Sequence, residues 1–173
     1  MDAFTWRHLT LAIALSTSMG SAFAATSNDF VDKAAAGGIA EIEASRLALE
    51  KSQSADIKAF ANMMITDHGK ANDELAAIAK KNDIEVPDDT TLVKQAKEKI
   101  LDMRDESFDA AYANNQVKAH EEALELFEKQ ANTVTDDRTK GATELKGFAQ
   151  KMLPGLEKHL DMAKKLQAAH PSK

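Results

Sequence analysis

Phe60-Ala61-Asn62-Met63-Met64-Ile65-Thr66-Asp67-His68-Gly69-Lys70-Ala71-Asn72-Asp73-Glu74-Leu75 is the stretch that decides the fold. Within and around it, Ile57, Ala61, Met64, His68, Ala71, Leu75 and Ile78 step by alternating fours and threes. That is the spacing of a helix with one face buried against partner helices. His68 stands where a Leu would be expected, and two later stretches repeat the substitution with His120 and His159. Any functional reading has to explain three inward-facing histidines on three helices.

Upstream of this helix, residues 29–52 predict another, with Asp29 as a cap and a stripe of mostly small residues, Val31, Ala35, Gly38, Ile42, Ser45 and Leu49. Small residues permit close approach of helices. Glu41 lies beside that stripe and Glu43 away from it, so Glu41 is the candidate for an inward carboxylate. Ser52-Gln53-Ser54 breaks the pattern, and Ser54 with Asp56 restarts it for a second helix from about Ala55 to Lys81.

Downstream, Asn82-Asp83-Ile84-Glu85-Val86-Pro87-Asp88-Asp89-Thr90 reads as a polar connection whose proline stops the helix. A shorter amphipathic helix follows, with Val93, Ala96, Ile100 and Met103 on one side. Asp105 offers a fresh cap before Phe108, Tyr112, Gln116, His120, Ala123 and Phe127, a core stripe extending to about Ala131. Residues 132–141 are rich in turn formers and read as a loop with room for one helical turn. The last helix carries Leu145, Phe148, Ala149, Met152, Leu156, His159, Ala163 and Leu166, and Pro154 within it predicts a kink just before His159.

The 173 residues suffice for one domain with a proper core. Arg7 and His8 precede the apolar run Leu9-Thr10-Leu11-Ala12-Ile13-Ala14-Leu15, and small residues follow to Ala22-Phe23-Ala24. This is the pattern of a secretory signal peptide over residues 1–24, cut after Ala24, and the run is too short to span a bilayer. The expected organisation is a signal peptide at 1–24, a bundle domain at 25–168 and a mobile tail at 169–173, where His170 reads as a surface residue. The mature protein is expected in the periplasm, with no transmembrane segment after processing. Cleavage removes Asp2 and Arg7, so the net charge stays at −6. That balance, with lysines scattered among acids, argues against a nucleic-acid partner. There is no Cys for a disulfide, a lipid anchor or a nucleophile.

The two halves echo each other. Phe30 opens one and Phe108 the other, and Ile57-Lys58-Ala59-Phe60-Ala61-Asn62-Met63-Met64 matches Leu145-Lys146-Gly147-Phe148-Ala149-Gln150-Lys151-Met152. Each half is then a helical hairpin. The predicted fold is all-α, a ferritin-like four-helix bundle of two hairpins with a long crossover containing a short extra helix.

The chain also resembles the bacterial domain-of-unknown-function 4142 family. The resemblance rests on Phe30, Ala35-Ala36-Gly37-Gly38, Glu41-Ile42-Glu43, Phe60-Ala61, Met64, Asp67-His68, Phe108-Asp109, Tyr112, His120, Leu126-Phe127, Phe148-Ala149, Leu153-Pro154, Leu156 and His159-Leu160. It covers nearly the whole mature chain and implies a ferritin-like fold and export, with no established activity. An Asp often precedes the second histidine in that family, and here the position is Ala119.

Counting outward from the hairpin turns at about 1.5 Å of rise per residue puts Glu41, His68, His120 and His159 within one or two turns of a common level. One reading is a metal site of three histidines and one carboxylate, His68, His120, His159 and Glu41, whose cofactor is a divalent transition metal. The usual di-iron signature needs Glu three residues before His, and those positions are Ile65, Val117 and Leu156, which argues against a ferritin-type oxidase. The competing reading is a buried polar network in which the imidazoles bond to Glu41, Tyr112, Gln116 or backbone and set helix register. Two functions follow: an exported bundle that binds a metal or small ligand between its hairpins, or a non-enzymatic envelope or stress-response protein that uses the bundle as an interaction scaffold. No catalytic residue can be assigned, since the sequence has no Gly-rich phosphate loop and no Ser in a strand-turn-helix setting.

Overall fold

Helix α1 (Asp29–Lys51) is capped one residue earlier than its sequence suggests. The Asn28 carboxamide accepts from the backbone N–H groups of Phe30 and Val31, each at 3.1 Å, while Asp29 pairs with Lys33 at 2.6 Å. A carboxylate in the first turn still favours the helix dipole, so Asp29 helps without capping. The computed structural model describes residues 27–100, 107–135 and 139–172. The other helices are α2 (Ala55–Lys81), α3 (Asp89–Ile100), α4 (Phe108–Ala131) and α5 (Ala142–Ala169), with no β-strand among the described residues. Met103, Asp105 and the expected signal peptide lie outside those residues, as does the middle of the 132–141 loop.

The turn between α1 and α2 is tied by short bonds. Buried Ser52 accepts from the Ser54 N–H at 3.0 Å, and the Ser54 hydroxyl donates to Asp56, which also accepts from the Ile57 N–H. α2 therefore restarts where the Ser-Gln-Ser break predicts. The close approach of the two helices depends on Gly38, because a Cβ there would collide with the carboxamide of Asn72 on α2. α5 starts at Gly141, whose φ of +69° is natural only for glycine. It runs through Pro154 to Ala169.

Specific contacts give the helix directions. On α1 and α4, Phe30 meets Phe127 and Ser45 meets Tyr112, so these helices are antiparallel. On α4 and α5, Phe127 meets Phe148, His120 meets His159, and Asn114 accepts from Gln167 at 2.8 Å. Along the seam of α2 and α5 run Lys81 with Glu144, Glu74 with Lys151, Asp67 with His159, and Asp56 with His170. Consecutive helices α1 and α2 form one antiparallel hairpin, and α4 and α5 the other. Because α2 and α4 both oppose α1, they run in the same direction, which requires a connection spanning the length of the bundle. α3, packed on α1, is part of that connection. Past the end of α5, His170 Nε2 lies 3.0 Å from Asp56, and Asn114 donates to Ser172.

The apolar core is divided. One cluster, at the end where α1 begins, contains Phe30, Val31, Leu75, Phe127, Leu145 and Phe148. The other, at the opposite end, contains Ala48, Ile57, Phe60, Met64, Tyr112 and Leu166. Between them in sequence register lie the buried polar residues Glu41, Gln116, His120 and His159. No helix among the described residues is long and apolar enough to cross a membrane.

Candidate metal centre

His68, His120 and His159 reach the interior from three helices because each occupies a core position of its stripe. One ring nitrogen from each lies within 4.8 Å of the other two. The ring centroids stand 5.4 to 5.7 Å apart. His120 is 1% and His159 6% exposed. His68 as a whole residue is partly exposed, but its Nε2 is sealed from solvent.

Outer contacts orient two of the rings. The Nδ1–H of His120 donates to the backbone carbonyl of Gln116 at 2.8 Å, leaving Nε2 as the nitrogen with the lone pair. The Nε2–H of His159 donates to Asp67 Oδ2 at 3.2 Å, leaving Nδ1 with the lone pair. The nitrogens thus left, His120 Nε2 and His159 Nδ1, are buried without a hydrogen-bond partner, and so is His68 Nε2. A histidine that donates one nitrogen to a carbonyl or carboxylate and turns the other to a common centre is the usual arrangement of a metal ligand.

Electrostatics keep the rings in the ligand form. Burial, reinforced by the two neighbouring imidazoles, pulls His68 down to about 3. Burial pulls His120 down to about 4, against the opposing effect of the Gln116 carbonyl. Burial also lowers His159, with Asp67 opposing it. At neutral pH all three rings are uncharged, the state that binds metals.

Three partnerless nitrogens of one chemical type fit a metal. Nitrogens 2.0–2.1 Å from a tetrahedral ion stand about 3.3 Å apart, inside the 4.8 Å within which one nitrogen of each ring lies. Glu41 is buried, as its position beside the α1 stripe predicts, but it is not a member of the group within 4.8 Å. It lies close enough to Tyr112 to reinforce the upward push that burial gives that phenol, while Ser45 hydrogen-bonds Tyr112 at 2.9 Å. Of the partners foreseen for a polar network, backbone is the one that binds His120; Tyr112 turns to Ser45 instead. Asp67 is the residue that reading the chain misses. It adjoins His68, off the core stripe, yet serves His159 across the α2–α5 seam.

Fold and site together define an all-α bundle with a buried cluster of neutral imidazoles. The chain belongs to the family of the domain of unknown function DUF4142, whose model matches residues 13–166. No curated protein matches the chain, and no solved structure does.

Proposed function

We propose that this is an exported, periplasmic, ferritin-like bundle protein that holds a divalent transition metal on His68, His120 and His159, with Glu41 outside the ligand group as a charge-balancing carboxylate. The observation that carries the metal is that His68, His120 and His159 each bring one ring nitrogen within 4.8 Å of the others, and each has a buried ring nitrogen without a hydrogen-bond partner. Leaving buried polar atoms unsatisfied costs about 1–3 kcal/mol each, and one cation satisfies all three. Glu41 and Asp67 would offset its double charge. Neutral imidazoles without thiolates suit zinc, copper, iron or nickel. Supporting the ferritin-like assignment are two hairpins joined by one long crossover, a topology that hosts metal sites on facing helices. Export is supported by the apolar run and small-residue cleavage pattern of residues 1–24.

The test uses untagged protein isolated from the periplasm. Its intact mass is expected to begin at Ala25 and its metal content to be one equivalent, lost in His68→Ala and in His159→Ala. A mass that retains residues 1–24 overturns export with cleavage. Metal content unchanged in both variants overturns the metal site and leaves the buried network as the role of the histidines.

A further inference from the structure

We infer that the carboxamide of Gln116 holds a small hydrogen-bonding ligand, a water or hydroxide in the resting protein, on the α1 side of the histidine cluster. This rests on the metal site proposed above and concerns what completes it. Gln116 is 0% exposed, and neither its Oε1 nor its Nε2 has a hydrogen-bond partner. The bond between this residue and His120 uses the Gln116 backbone carbonyl, so the side chain is left over. Buried carboxamides with both ends unsatisfied are rare and costly.

Its place in the fold says what it is for. Residues four apart on a helix are neighbours on one face, so Gln116 stands a turn from His120 on the core side of α4. From the Ser45–Tyr112 contact, one turn along each antiparallel helix leads to Glu41 on α1 and Gln116 on α4. The carboxamide therefore belongs to the layer between α4 and α1. The imidazoles come from α2, α4 and α5, so α1 is the one bundle helix that sends no histidine to the cluster. A ligand completing the coordination would approach from that side, where no imidazole competes with it.

The chemistry of the amide narrows the occupant. A carboxamide offers donors at nitrogen and an acceptor at oxygen, so its natural partner both accepts and donates. Water qualifies, and so does hydroxide, while a purely apolar guest would leave both ends unsatisfied. A buried water needs two to four polar partners, and a metal together with one amide supplies them. Three-histidine metal centres of the open kind keep such an exchangeable position.

The test loads the untagged protein with Co²⁺, measures bound metal, and titrates azide against the visible spectrum. Azide replaces the bound water and accepts a hydrogen bond from Gln116 Nε2. Wild type is expected to bind one Co²⁺ and to show a saturable azide response. Gln116→Met, close in size but without the amide, should keep the metal and bind azide about tenfold more weakly, the size of one hydrogen bond to a charged group. Gln116→Glu, which keeps the length but replaces the donor with an acid, should weaken azide at least as much and serves if the Met variant does not fold. Unchanged azide affinity with full metal content overturns the role of Gln116 and leaves the metal site standing. Loss of metal in both variants also overturns it, making Gln116 a ligand itself. Absence of Co²⁺ binding in wild type overturns the metal reading beneath it.

Discussion

Two clusters of three rings lie in this bundle, and they are nearly the same size. Phe30, Phe127 and Phe148 meet with centroids 5.1, 6.4 and 5.9 Å apart, and His68, His120 and His159 meet at 5.6, 5.7 and 5.4 Å. Both include edge-on pairs, the favourable arrangement for aromatic rings. The phenylalanines end in C–H groups that need nothing more. The histidines place a buried nitrogen without a partner at each corner. Packing alone would be served as well by a second set of apolar rings, so the reason for the imidazoles lies in those nitrogens.

The comparison can be broken at either cluster. Phe148→Ala, at a position 3% exposed, should cost about 3–5 kcal/mol in urea unfolding, and the loss should be the same at pH 7 and pH 5 because nothing in that cluster titrates. The histidine cluster should behave otherwise in chelator-treated protein. His68 and His120 are held at about 3 and about 4 in the folded state, below the unfolded value of 6.5. Between these values the unfolded chain binds protons that the folded one does not. Stability is therefore fully present above about pH 6.5 and falls as the pH drops, by about 1.4 kcal/mol per pH unit for each ring. Urea midpoints from pH 7 to pH 5 check this; a flat profile would mean that the rings are not buried neutral in solution.

The smallest expected effect sharpens the comparison most. His120→Leu removes an orphaned nitrogen and a bond to a carbonyl that already serves the helix. In the absence of metal it should raise stability by about 1 kcal/mol and flatten the acid profile by the share of one ring. With metal present the order reverses, because only wild type gains binding energy, about 2.7 kcal/mol at a metal concentration of 100 times Kd. Thermal unfolding of both proteins with and without Zn²⁺ measures the crossover. If wild type is the more stable protein even without metal, the histidines are structural.

Much of this was legible in the chain because a helix imposes its own period. The bounds of α2, the end of α4 at Ala131 and the inward face of Glu41 follow from residue spacing, since each turn of backbone returns the same face to the core. The same holds for His120 and His159, which land in the core as their stripes require. Spacing could not choose between Asp29 and Asn28 as the cap, because both side chains can accept and only the local backbone decides which one reaches. Nor could it find Asp67 as the partner of His159, 92 residues away, or tell which nitrogen of His120 and of His159 is taken by a hydrogen bond. Those depend on the rotation of α2 against α5 and on hydrogen bonds at the outer edges of His120 and His159. What the sequence determined by itself is which residues enter the core. What only the tertiary structure decided is which atoms they present there, because that is set by neighbours on other helices.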